Sequence, residues 1–524
     1  MSLINDAYVE LSSNLIEEIE LSHQYPVDYQ IDWFNRLTYT GADTAFGKEH
    51  NFSSFCAYGA SLGSAMSKKG YEHRLKSFQN SIPIRDYDAF VPYIERLRSG
   101  ENYVLWNQKV KWFAKSSGTS SDVSKFIPIT QDALKINHYG GLKRMLAWYI
   151  ANNPDSKLFK GKALTLGGSV QPDEMGAGGT MYGDLSAILL KNSPMVAEFF
   201  RTPGRQTALI GNFNDKVAKI CQECCKQNVT SFSGVPSWNL VMMQKILEYT
   251  GKGSICEIWP DLELFMHGGI GFEPYREHFE KLIPNPSMRY MENYNASEGY
   301  FAFQDDLSQD SMLLTVNNGV FYEFIPMPIF EDVMNGSIKE IPTLADVKTG
   351  VNYAVVITSC NGLWRYLIGD CVQFESVYPH KIKLVGRTQL FINAFGEELM
   401  ISNAEKALVA ACRECDCAVT DFTVAPVFMK LGSKGFHKWA IEFSNPPEDM
   451  ASFSEVLDKH LAAINSDYAA KREAGSTMEQ LQIVSLEHGT FYRWMESRRR
   501  LGGQNKVPRL HINTKFIDEL EALN

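Results

Sequence analysis

The chain has 524 residues, a formal net charge of -10 and a pI of about 5.7. This length predicts two to four domains, and the acidic balance excludes an overall basic surface for nucleic acid. Apolar residues make up 44% and charged residues 21%, which is typical of a soluble globular protein. The first twenty residues lack the apolar stretch of a signal peptide, and no run approaches the roughly 18 apolar residues of a membrane helix. We therefore expect a cytoplasmic protein with neither a membrane nor a nucleic acid as partner.

The N-terminal 300 residues alternate between helical and strand patterns. Residues 1–60 repeat apolar positions every three to four residues, and a second helix is predicted from Thr130, an N-cap residue, to just before Pro154. Four predicted strands end in polar or glycine-rich turns and are separated by helices; they lie in KALTLGGS, TSFSGVPSW, LELFMHGG and MRYMENYNASEGY. This alternation predicts an α/β sheet with its site at the carboxyl edge.

The pattern changes after residue 300. From about 300 to 388, apolar and polar residues alternate between Asn-Gly turns, which predicts antiparallel hairpins in a small barrel or sheet. Further predicted elements are helix 400–413, strands 419–428 and 437–444, helix 451–475, strand 480–486, a loop-rich stretch 491–513 and a short final helix. The predicted fold class is α/β. It combines a large N-terminal domain (1–388), with its β-barrel or hairpin region, and a small mobile C-terminal α+β domain (389–524), with the boundary at 388–390.

The ten cysteines include two clusters, CQECC and CRECDC, each with one C-x-x-C. A zinc or iron–sulfur site needs about four converging ligands, and the two clusters stand far apart in the chain without histidines at finger spacing. Both clusters also lie on the apolar side of predicted helices. We therefore expect reduced thiols, most of them in the core.

A hydroxyl-rich stretch, KSSGTSSDVSK, runs from Lys115 to Lys125. It lacks the G-x-x-x-x-G-K-[ST] spacing of a P-loop. Hydroxyls and backbone N–H groups in a turn can nevertheless hold phosphate oxygens, and a lysine adds a positive charge. Taken alone, the stretch is equally compatible with a polar surface loop.

Two carboxylates follow glycine-rich or strand-end positions further along the chain. In Tyr294-Asn295-Ala296-Ser297-Glu298, the carboxylate could bind Mg²⁺ and Tyr294 could stack on a base, although a loop glutamate is usually only solvated. Asp370 follows a glycine at a predicted hairpin end, where it could accept both hydroxyls of a ribose or simply form an Asx-turn.

Two cations complete the set of candidates. Arg387, in VGRT at the predicted domain boundary, could reach a phosphate or steady a hinge. Lys506 lies in the glycine-rich, proline-bounded segment GGQNKVPRL, a suitable place for a mobile cation.

In their order along the chain, these motifs resemble those of the Gretchen Hagen family of auxin-responsive acyl-acid amido synthetases, which are acyl-adenylate-forming enzymes. The family's S-S-G-T-S-x-x-x-x-K corresponds to Ser116–Lys125, its Y-x-x-S-E to Tyr294–Glu298, its Y-x-x-G-D to Tyr366–Asp370 and its K-x-P-R to Lys506–Arg509. The resemblance spans nearly the whole chain. The lysine that plant members carry just past the hinge is absent from INAFGEELM, which leaves Lys506 as the leading candidate cation.

The resemblance implies an ATP-dependent ligase that converts a carboxylic acid into an acyl-adenylate with release of pyrophosphate, and then forms an amide with an amino acid. It implies ATP and Mg²⁺ as cofactors and a small apolar or aromatic acid as substrate. The implied nucleotide-binding residues are Ser116, Ser117, Gly118, Thr119, Ser120 and Lys125 for the phosphates, Gly268, Gly269 and Tyr294 for adenine, and Ser297 and Asp370, the latter for ribose. Glu298 is the implied metal ligand, and Lys506 and Arg387 are the implied catalytic and hinge residues.

Three questions stay open on the residues alone. The aromatic segments VPSWNL, EGYFAF and VFYEFIP are candidate walls of the acyl pocket and equally candidate core strands. An acid–CoA ligase would form the same adenylate and use a thiol acceptor. A non-catalytic nucleotide-binding protein of the same fold is disfavoured, because Ser117, Glu298, Asp370 and Lys506 are all present together.

Overall fold

The structure is a computed structural model that describes residues 3–56, 68–116, 125–173, 179–211, 213–269, 272–388, 392, 397, 399–428, 435–465, 468–469, 472, 478–498, 506–511 and 513–524. Its contacts divide the chain into two units, one of residues 1–269 with 283–383, the other of residues 270–282 with 384–524. The division therefore falls a few residues ahead of the predicted boundary. The second unit also includes a segment, 270–282, that the sequence predicts as part of the N-terminal domain.

Helices make up much of the N-terminal unit, and several begin at residues whose side chains favour a helix start. Pro26 occupies the first turn of its helix, and the side chains of Thr44 and Asp86 accept backbone N–H groups of the helices that follow them. The helices before the C-terminal region are α1 Leu3–Leu11, α2 Ser13–Gln24, α3 Pro26–Gly41, α4 Ala45–Glu49, α5 Lys68–Ser81, α6 Tyr87–Arg98, α7 Tyr139–Asn152, α8 Leu185–Asn192, α9 Arg205–Ala208, α10 Phe213–Cys224, α11 Pro236–Thr250, α12 Glu273–Leu282 and α13 Phe330–Met334. Thr130 caps the helical segment before α7, as predicted: its hydroxyl accepts the N–H of Ala133 at 3.0 Å.

The N-terminal unit contains an eleven-stranded and a four-stranded sheet. Their strands are β1 Trp112–Ser116, β2 Lys125–Ile129, β3 Lys162–Thr165, β4 Val170–Pro172, β5 Met181–Gly183, β6 Arg201–Thr202, β7 Val229–Gly234, β8 Leu264–His267, β9 Arg289–Ala296, β10 Gly299–Phe303, β11 Met312–Leu314, β12 Val320–Pro326, β13 Asn352–Ser359, β14 Tyr366–Val377 and β15 His380–Arg387. The large sheet has the order β12-β13-β14-β15-β11-β10-β9-β8-β7-β3-β6, and the small one β2-β1-β5-β4. The predicted α/β class is confirmed.

The large sheet changes character at β9. This strand runs parallel to β8 and antiparallel to β10, so the parallel strands β6, β3, β7 and β8 continue directly into the predicted hairpin region. Strands β8 and β10 are buried along their whole length, as expected where a sheet is covered on both faces. For residues 300–388 the sequence predicts a small barrel or a sheet. The structure has strands there that extend the main sheet.

A buried ion pair fixes the start of β14. Glu323 on β12 and Arg365 expose 0% and 1% of their side chains, and Arg365 Nε donates to both carboxylate oxygens at 3.1 Å. Arg365 Nη1 also donates to the backbone carbonyls of Gln79 and Ile82 at 2.7 Å, which ties α5 to the same point. Removing one partner of such a pair costs about 3–5 kcal/mol. The network therefore holds the strand that carries Tyr366 in a defined position.

The C-terminal unit contains the three-stranded sheet β16 Ala418–Val427, β17 Phe436–Asn445 and β18 Gln482–Leu486, with β17 in the middle. Its other helices are α14 Ile401–Glu414, α15 Met450–Ile464, α16 Thr490–Ser497 and α17 Lys515–Glu521. Buried side chains of α14, α15 and the sheet form one core, which includes Leu408, Trp439, Phe453 and Leu457. The predicted α+β arrangement is confirmed for the described part of this unit.

Two element predictions in this unit are wrong. Helix α15 ends at Ile464 rather than 475, and the described residues 468, 469 and 472 are helical again. Asn465 between them is extended and its side chain accepts the N–H of Tyr468, as an N-cap does, so the predicted helix is interrupted there. The stretch predicted as a loop after 490 contains α16. There the buried Glu442 carboxylate accepts the N–H groups of Gly489 and Phe491 at the helix start, at 2.8 and 3.1 Å.

All ten cysteines are free thiols, and Cys221, Cys224 and Cys417 are buried, in line with the predicted reduced core thiols. Within the described ranges, no three His, Cys, Asp or Glu side chains gather as a metal cluster. None of the helices in the described part of the chain is long and apolar enough to cross a membrane.

Candidate functional site

The motif residues of the N-terminal unit gather at the carboxyl edge of its parallel strands. Strands β7, β8 and β9 are parallel neighbours, so their ends at Gly234, Gly268 and Ser297 lie on one edge of the sheet. Open α/β sheets bind ligands at this edge, and preferentially where the strand arrangement changes. The change from parallel to antiparallel pairing at β9 places the Tyr294–Glu298 motif at such a point.

Tyr294 and Asp370 are joined directly. The buried Tyr294 hydroxyl donates to Asp370 Oδ2 at 2.6 Å, across 76 residues of sequence. In the sheet order, β9 and β14 are separated by β10, β11 and β15, so a flat sheet would place them roughly 19 Å apart at ~4.8 Å per strand. The hydrogen bond therefore requires these strands to curve back toward β9.

Glycines make this approach possible. Gly369 immediately precedes Asp370. Its φ of +91° is a backbone conformation that residues with a Cβ rarely adopt. Gly268 lies where a Cβ would stand 2.3 Å from the carbonyl oxygen of Asn293, so a side chain has no room there. Gly269 follows with a φ of +86°. The predicted glycine pair thus lies against β9 at Asn293, the residue before Tyr294.

Glu298 is held through both its side chain and its backbone. Its side chain is buried, and the Tyr366 hydroxyl donates to Oε1 at a long 3.4 Å. Asn361 Nδ2 donates to the Glu298 carbonyl at 3.0 Å, and Asn361 Oδ1 accepts the N–H of Thr130 at 3.4 Å. Thr130 directly follows β2, so the carboxylate is connected to the hairpin that carries the hydroxyl-rich stretch.

That hairpin is described only at its two ends. β1 and β2 pair antiparallel with Ser116 opposite Lys125, and the Lys125 ammonium lies 5.8 Å from the ring centre of Tyr87. The predicted phosphate-binding residues between them lie outside the described residues: Ser117, Gly118, Thr119 and Ser120. Their predicted role stays a prediction.

The two predicted cations belong to the C-terminal unit, because β15 begins in the N-terminal unit and passes the division at residue 384 before it reaches Arg387. Arg387 is the last residue of β15 and is half-buried, and Lys506 is exposed. Just after Lys506 the chain is anchored on β16: Thr423 Oγ1 donates to the Pro508 carbonyl at 2.5 Å, and the N–H of Val424 donates to the Arg509 carbonyl at 2.8 Å.

Arg509 is the main side-chain anchor of this segment. Its buried guanidinium donates to the Asp421 carboxylate, to the Phe422 carbonyl at 2.9 Å and to the hydroxyl of Tyr275 on α12. It also lies 4.6 Å from the ring centre of Phe422, a cation–π distance. Lys506 is therefore attached three residues from a fixed point.

The aromatic segments proposed as pocket walls are mostly core. Tyr300, Phe301 and Phe303 on β10 and Tyr322 and Phe324 on β12 expose 2% or less of their surface. They pack on one another, for example Phe301 on Tyr322 at 6.2 Å between ring centres. Their role as core is evident, and a pocket role stays a prediction.

Sequence reasoning missed three residues of this site: His138, Asn361 and Arg365. The Asn-Gly turn at Asn361 indicated a turn but not its bond to Glu298. Arg365 and its partner Glu323 are 42 residues apart, and no periodic pattern couples them. His138, on the helical turn before α7, is buried, and its Nδ1 lies 3.2 Å from Asn295 Oδ1.

Family models match three consecutive parts of the chain. The GH3 family N-terminal domain matches residues 15–288, the GH3 family central domain matches 313–387 and the GH3 family C-terminal domain matches 402–515. The first model alone covers more than half of the chain.

Similar proteins occur in plants. The chain is 22% identical to an indole-3-acetic acid-amido synthetase of Arabidopsis thaliana, with 87% of each chain covered. It is 24% identical to a jasmonoyl-L-amino acid synthetase of Oryza sativa subsp. japonica, with 86% of this chain and 89% of that one covered. The solved structure of a GH3.15 acyl acid amido synthetase in complex with 2,4-DB has a TM-score of 0.76 at 18% identity, with 99% and 96% covered, and shares the fold.

Proposed function

The chain belongs to the GH3 family, and from that premise we propose that it is an ATP-dependent acid–amino acid ligase. It activates a carboxylic acid as an acyl-adenylate with release of pyrophosphate, and then transfers the acyl group to the amine of an amino acid. The observation that carries the proposal is the pair of bonds Tyr294–Asp370 and Tyr366–Glu298, which unite two motifs at the carboxyl edge of the sheet. The cytoplasmic location stays a prediction.

In the first step, the carboxylate of the acid attacks the α-phosphorus of ATP and pyrophosphate leaves. The anhydride that forms has AMP as a good leaving group, which a carboxylate lacks. Asp370 would accept the ribose hydroxyls, and a carboxylate accepts several hydrogen bonds at once, so the Tyr294 bond is compatible with that role. Gly268 and Gly269 would leave room for adenine beside Tyr294.

The described oxygen donors fit Mg²⁺ held together with a nucleotide. Mg²⁺ is usually bound through one or two carboxylates together with substrate phosphates and water rather than by an all-protein cage. The buried Glu298 at the strand end supplies one such carboxylate, and no larger acidic cluster occurs in the described ranges. Bound there, Mg²⁺ would neutralise part of the phosphate charge. Ser297 would lie beside it.

Side chains would neutralise the remaining negative charge of the phosphates. Ser116 and Lys125, at the ends of the β1–β2 hairpin, and the loop between them would hold the phosphates with hydroxyls and one cation. Such a loop can release pyrophosphate after the reaction. Lys506 would offset the negative charge that develops at the α-phosphate, and Arg387 would act at the hinge.

In the second step, an amine attacks the acyl carbon of the adenylate and AMP leaves, so the nitrogen forms the amide bond and loses a proton. The acid is expected to be small and apolar or aromatic. A thiol acceptor would give a thioester by the same route, so the acceptor decides between the two ligase classes.

The proposal is tested with purified protein, ATP, Mg²⁺ and a panel of aromatic and aliphatic acids, followed by pyrophosphate and AMP release. Amino acids, hydroxylamine and coenzyme A are supplied separately as acceptors. Acid-dependent pyrophosphate release with an amide product supports the proposal, and a thioester product moves the chain to the acid–CoA ligases. ADP with phosphate, or no turnover with any acid and no ATP binding, contradicts it.

A further inference from the structure

His138 is a buried polar residue for which the proposed adenylation has no role. It ends the π-helical turn Ala133–His138, which leads directly into α7, and only 2% of its surface is exposed. Its Nδ1 lies 3.2 Å from Oδ1 of Asn295, the residue that follows Tyr294 on β9. An isolated turn of π-helix often accompanies a functional position.

The neighbours of His138 show which way this part of the helix faces. Asn137 Nδ2 donates to the Tyr300 carbonyl on β10 at 3.2 Å, and the Tyr139 hydroxyl donates to the Leu189 carbonyl on α8 at 2.6 Å. His138 stands between these two directions. Its own side-chain contact is with Asn295, which lies in the Tyr294–Glu298 motif at the carboxyl edge of the sheet.

The tautomer of the ring is assigned from its contact with Asn295. An amide oxygen can only accept, so His138 Nδ1 carries the proton and Nε2 presents a lone pair. Nε2 is buried, and no group in the described part of the chain bonds to it. Burial lowers the pKa of His138 to about 4, so the ring is neutral near pH 7. An unsatisfied buried acceptor is unfavourable, and a suitable donor on a ligand would satisfy it.

We propose that Nε2 of His138 accepts a hydrogen bond from an O–H or N–H group carried by the carboxylic acid substrate, which makes it a specificity-determining residue. The inference rests on the proposed ligase function. An acid with such a donor satisfies the buried nitrogen, whereas its analogue without the donor leaves the nitrogen unpaired. Sites built to bond a polar group reject analogues that lack it more strongly than apolar pockets reject size changes.

The amine of the second substrate is a weaker candidate for this contact. An ammonium must lose a proton before it attacks, and an effective general base has a pKa near the working pH. Burial lowers the pKa of His138 well below that range. The ring is therefore suited to accept a hydrogen bond and poorly suited to remove a proton.

The chain offers a matched control in His380 on β15. It is also buried, its Nε2 lies 3.1 Å from the Leu344 carbonyl, and its Nδ1 has no partner among the described residues. Burial lowers the pKa of His380 to about 4, as for His138. The two histidines share their chemistry and differ in place, because only His138 contacts the Tyr294–Glu298 motif.

The test compares matched acids: 2-, 3- and 4-hydroxybenzoate against benzoate, and 2-, 3- and 4-hydroxybutanoate against butanoate. The readout is kcat/KM for acid-dependent pyrophosphate release. We expect the wild type to prefer at least one hydroxy acid by about tenfold to a hundredfold, the value of one hydrogen bond to a buried acceptor. His138→Phe should reduce that ratio to about one while benzoate or butanoate is still used, and His380→Phe should preserve it.

A second measurement does not depend on a folded variant. In the wild type labelled with 15N-histidine, the preferred hydroxy acid should move the acceptor-type Nε2 resonance of His138 upfield, whereas the matched deoxy acid should not. Equal use of hydroxy and deoxy acids, or equal loss of preference in both variants, overturns the inference and leaves the ligase function in place. No pyrophosphate release with any acid, together with no ATP binding, overturns both.

Discussion

The two units position their predicted site residues in different ways. In the N-terminal unit, Tyr294, Glu298, Tyr366 and Asp370 stand at the ends of strands or on them, and side-chain hydrogen bonds join them pairwise. In the C-terminal unit, Lys506 does not lie on a strand. It precedes a segment that is fixed on β16 by backbone bonds and by the Arg509–Asp421 pair.

This difference has a consequence for substitutions. Residues of the N-terminal set are held by a sheet whose register is determined elsewhere, so losing one hydrogen bond should change binding without disturbing the fold. Lys506 depends on an anchor three residues away, so the anchor and the cation should be separable. Arg509 should act mainly on stability, and Lys506 mainly on the chemical step.

Breaking the anchor should have the largest effect. Arg509→Met leaves the mostly buried Asp421 without its guanidinium, so we expect the free energy of unfolding to fall by about 3–5 kcal/mol. Urea unfolding followed by tryptophan fluorescence measures it. The control is Arg96→Met, which removes an exposed pair with Glu101 and should cost less than about 1 kcal/mol. Similar losses in both variants would show that the anchor is not needed.

Removing the cation should have the next largest effect. Lys506→Ala should lower acid-dependent adenylation by about 10²–10³-fold, because a positioned charge at the reacting phosphate is worth roughly 2.7–4 kcal/mol. ATP binding, followed by calorimetry, should change little. Lys515→Ala alters another exposed lysine of the same unit and should keep full activity. An undiminished rate in the Lys506 variant would remove this residue from the mechanism.

Asp370→Ala tests the N-terminal unit, where we expect a substitution to act on ATP binding. We expect ATP affinity to fall by about ten- to a hundredfold, the value of hydrogen bonds to a charged group. The free energy of unfolding should also fall, by about 1–3 kcal/mol, because the buried Tyr294 hydroxyl loses the carboxylate that accepts its hydrogen bond. Asp332→Ala, which removes an exposed carboxylate on α13, should leave affinity unchanged. Unaltered affinity in the Asp370 variant would contradict the ribose role.

The smallest effect is expected for Tyr366→Phe. The bond from its hydroxyl to Glu298 is long, 3.4 Å, so we expect a loss of about 0.5–1.5 kcal/mol, seen as a higher Mg²⁺ requirement for pyrophosphate release. Tyr353→Phe on β13 is the comparison, since its hydroxyl only accepts the N–H of Lys348. A Mg²⁺ titration that does not differ between the Tyr366 variant and wild type would argue against a metal role for Glu298.

The part of the site that could be predicted consists of motifs that are local in the sequence. The glycine pair at Gly268, the Tyr294–Glu298 motif and the Gly369-Asp370 step follow strand and turn patterns, and their family order made their grouping an expectation. Their geometry was not predictable. The bond between Tyr294 and Asp370 requires a sheet that curves across three intervening strands, and no local pattern encodes that curvature.

Polar pairs whose partners are far apart in the sequence could not be predicted, for the same reason. Arg509 and Asp421 are 88 residues apart, and each one alone looks like an ordinary surface charge. Helix α16 was missed although Phe491, Trp494 and Met495 have helical spacing and are buried, because its start depends on the remote carboxylate of Glu442. Periodicity predicts which face is apolar, whereas a remote partner decides where an element begins.

The central claim is that this chain forms an acyl-adenylate. The most direct test is the exchange of labelled pyrophosphate into ATP, measured with one acid, Mg²⁺ and no amine or thiol. Because adenylation is reversible before the acyl group leaves, we predict exchange that requires the acid and disappears in Lys506→Ala. Label entering ATP equally without any acid, or no exchange with an acid that the protein consumes, would contradict the account.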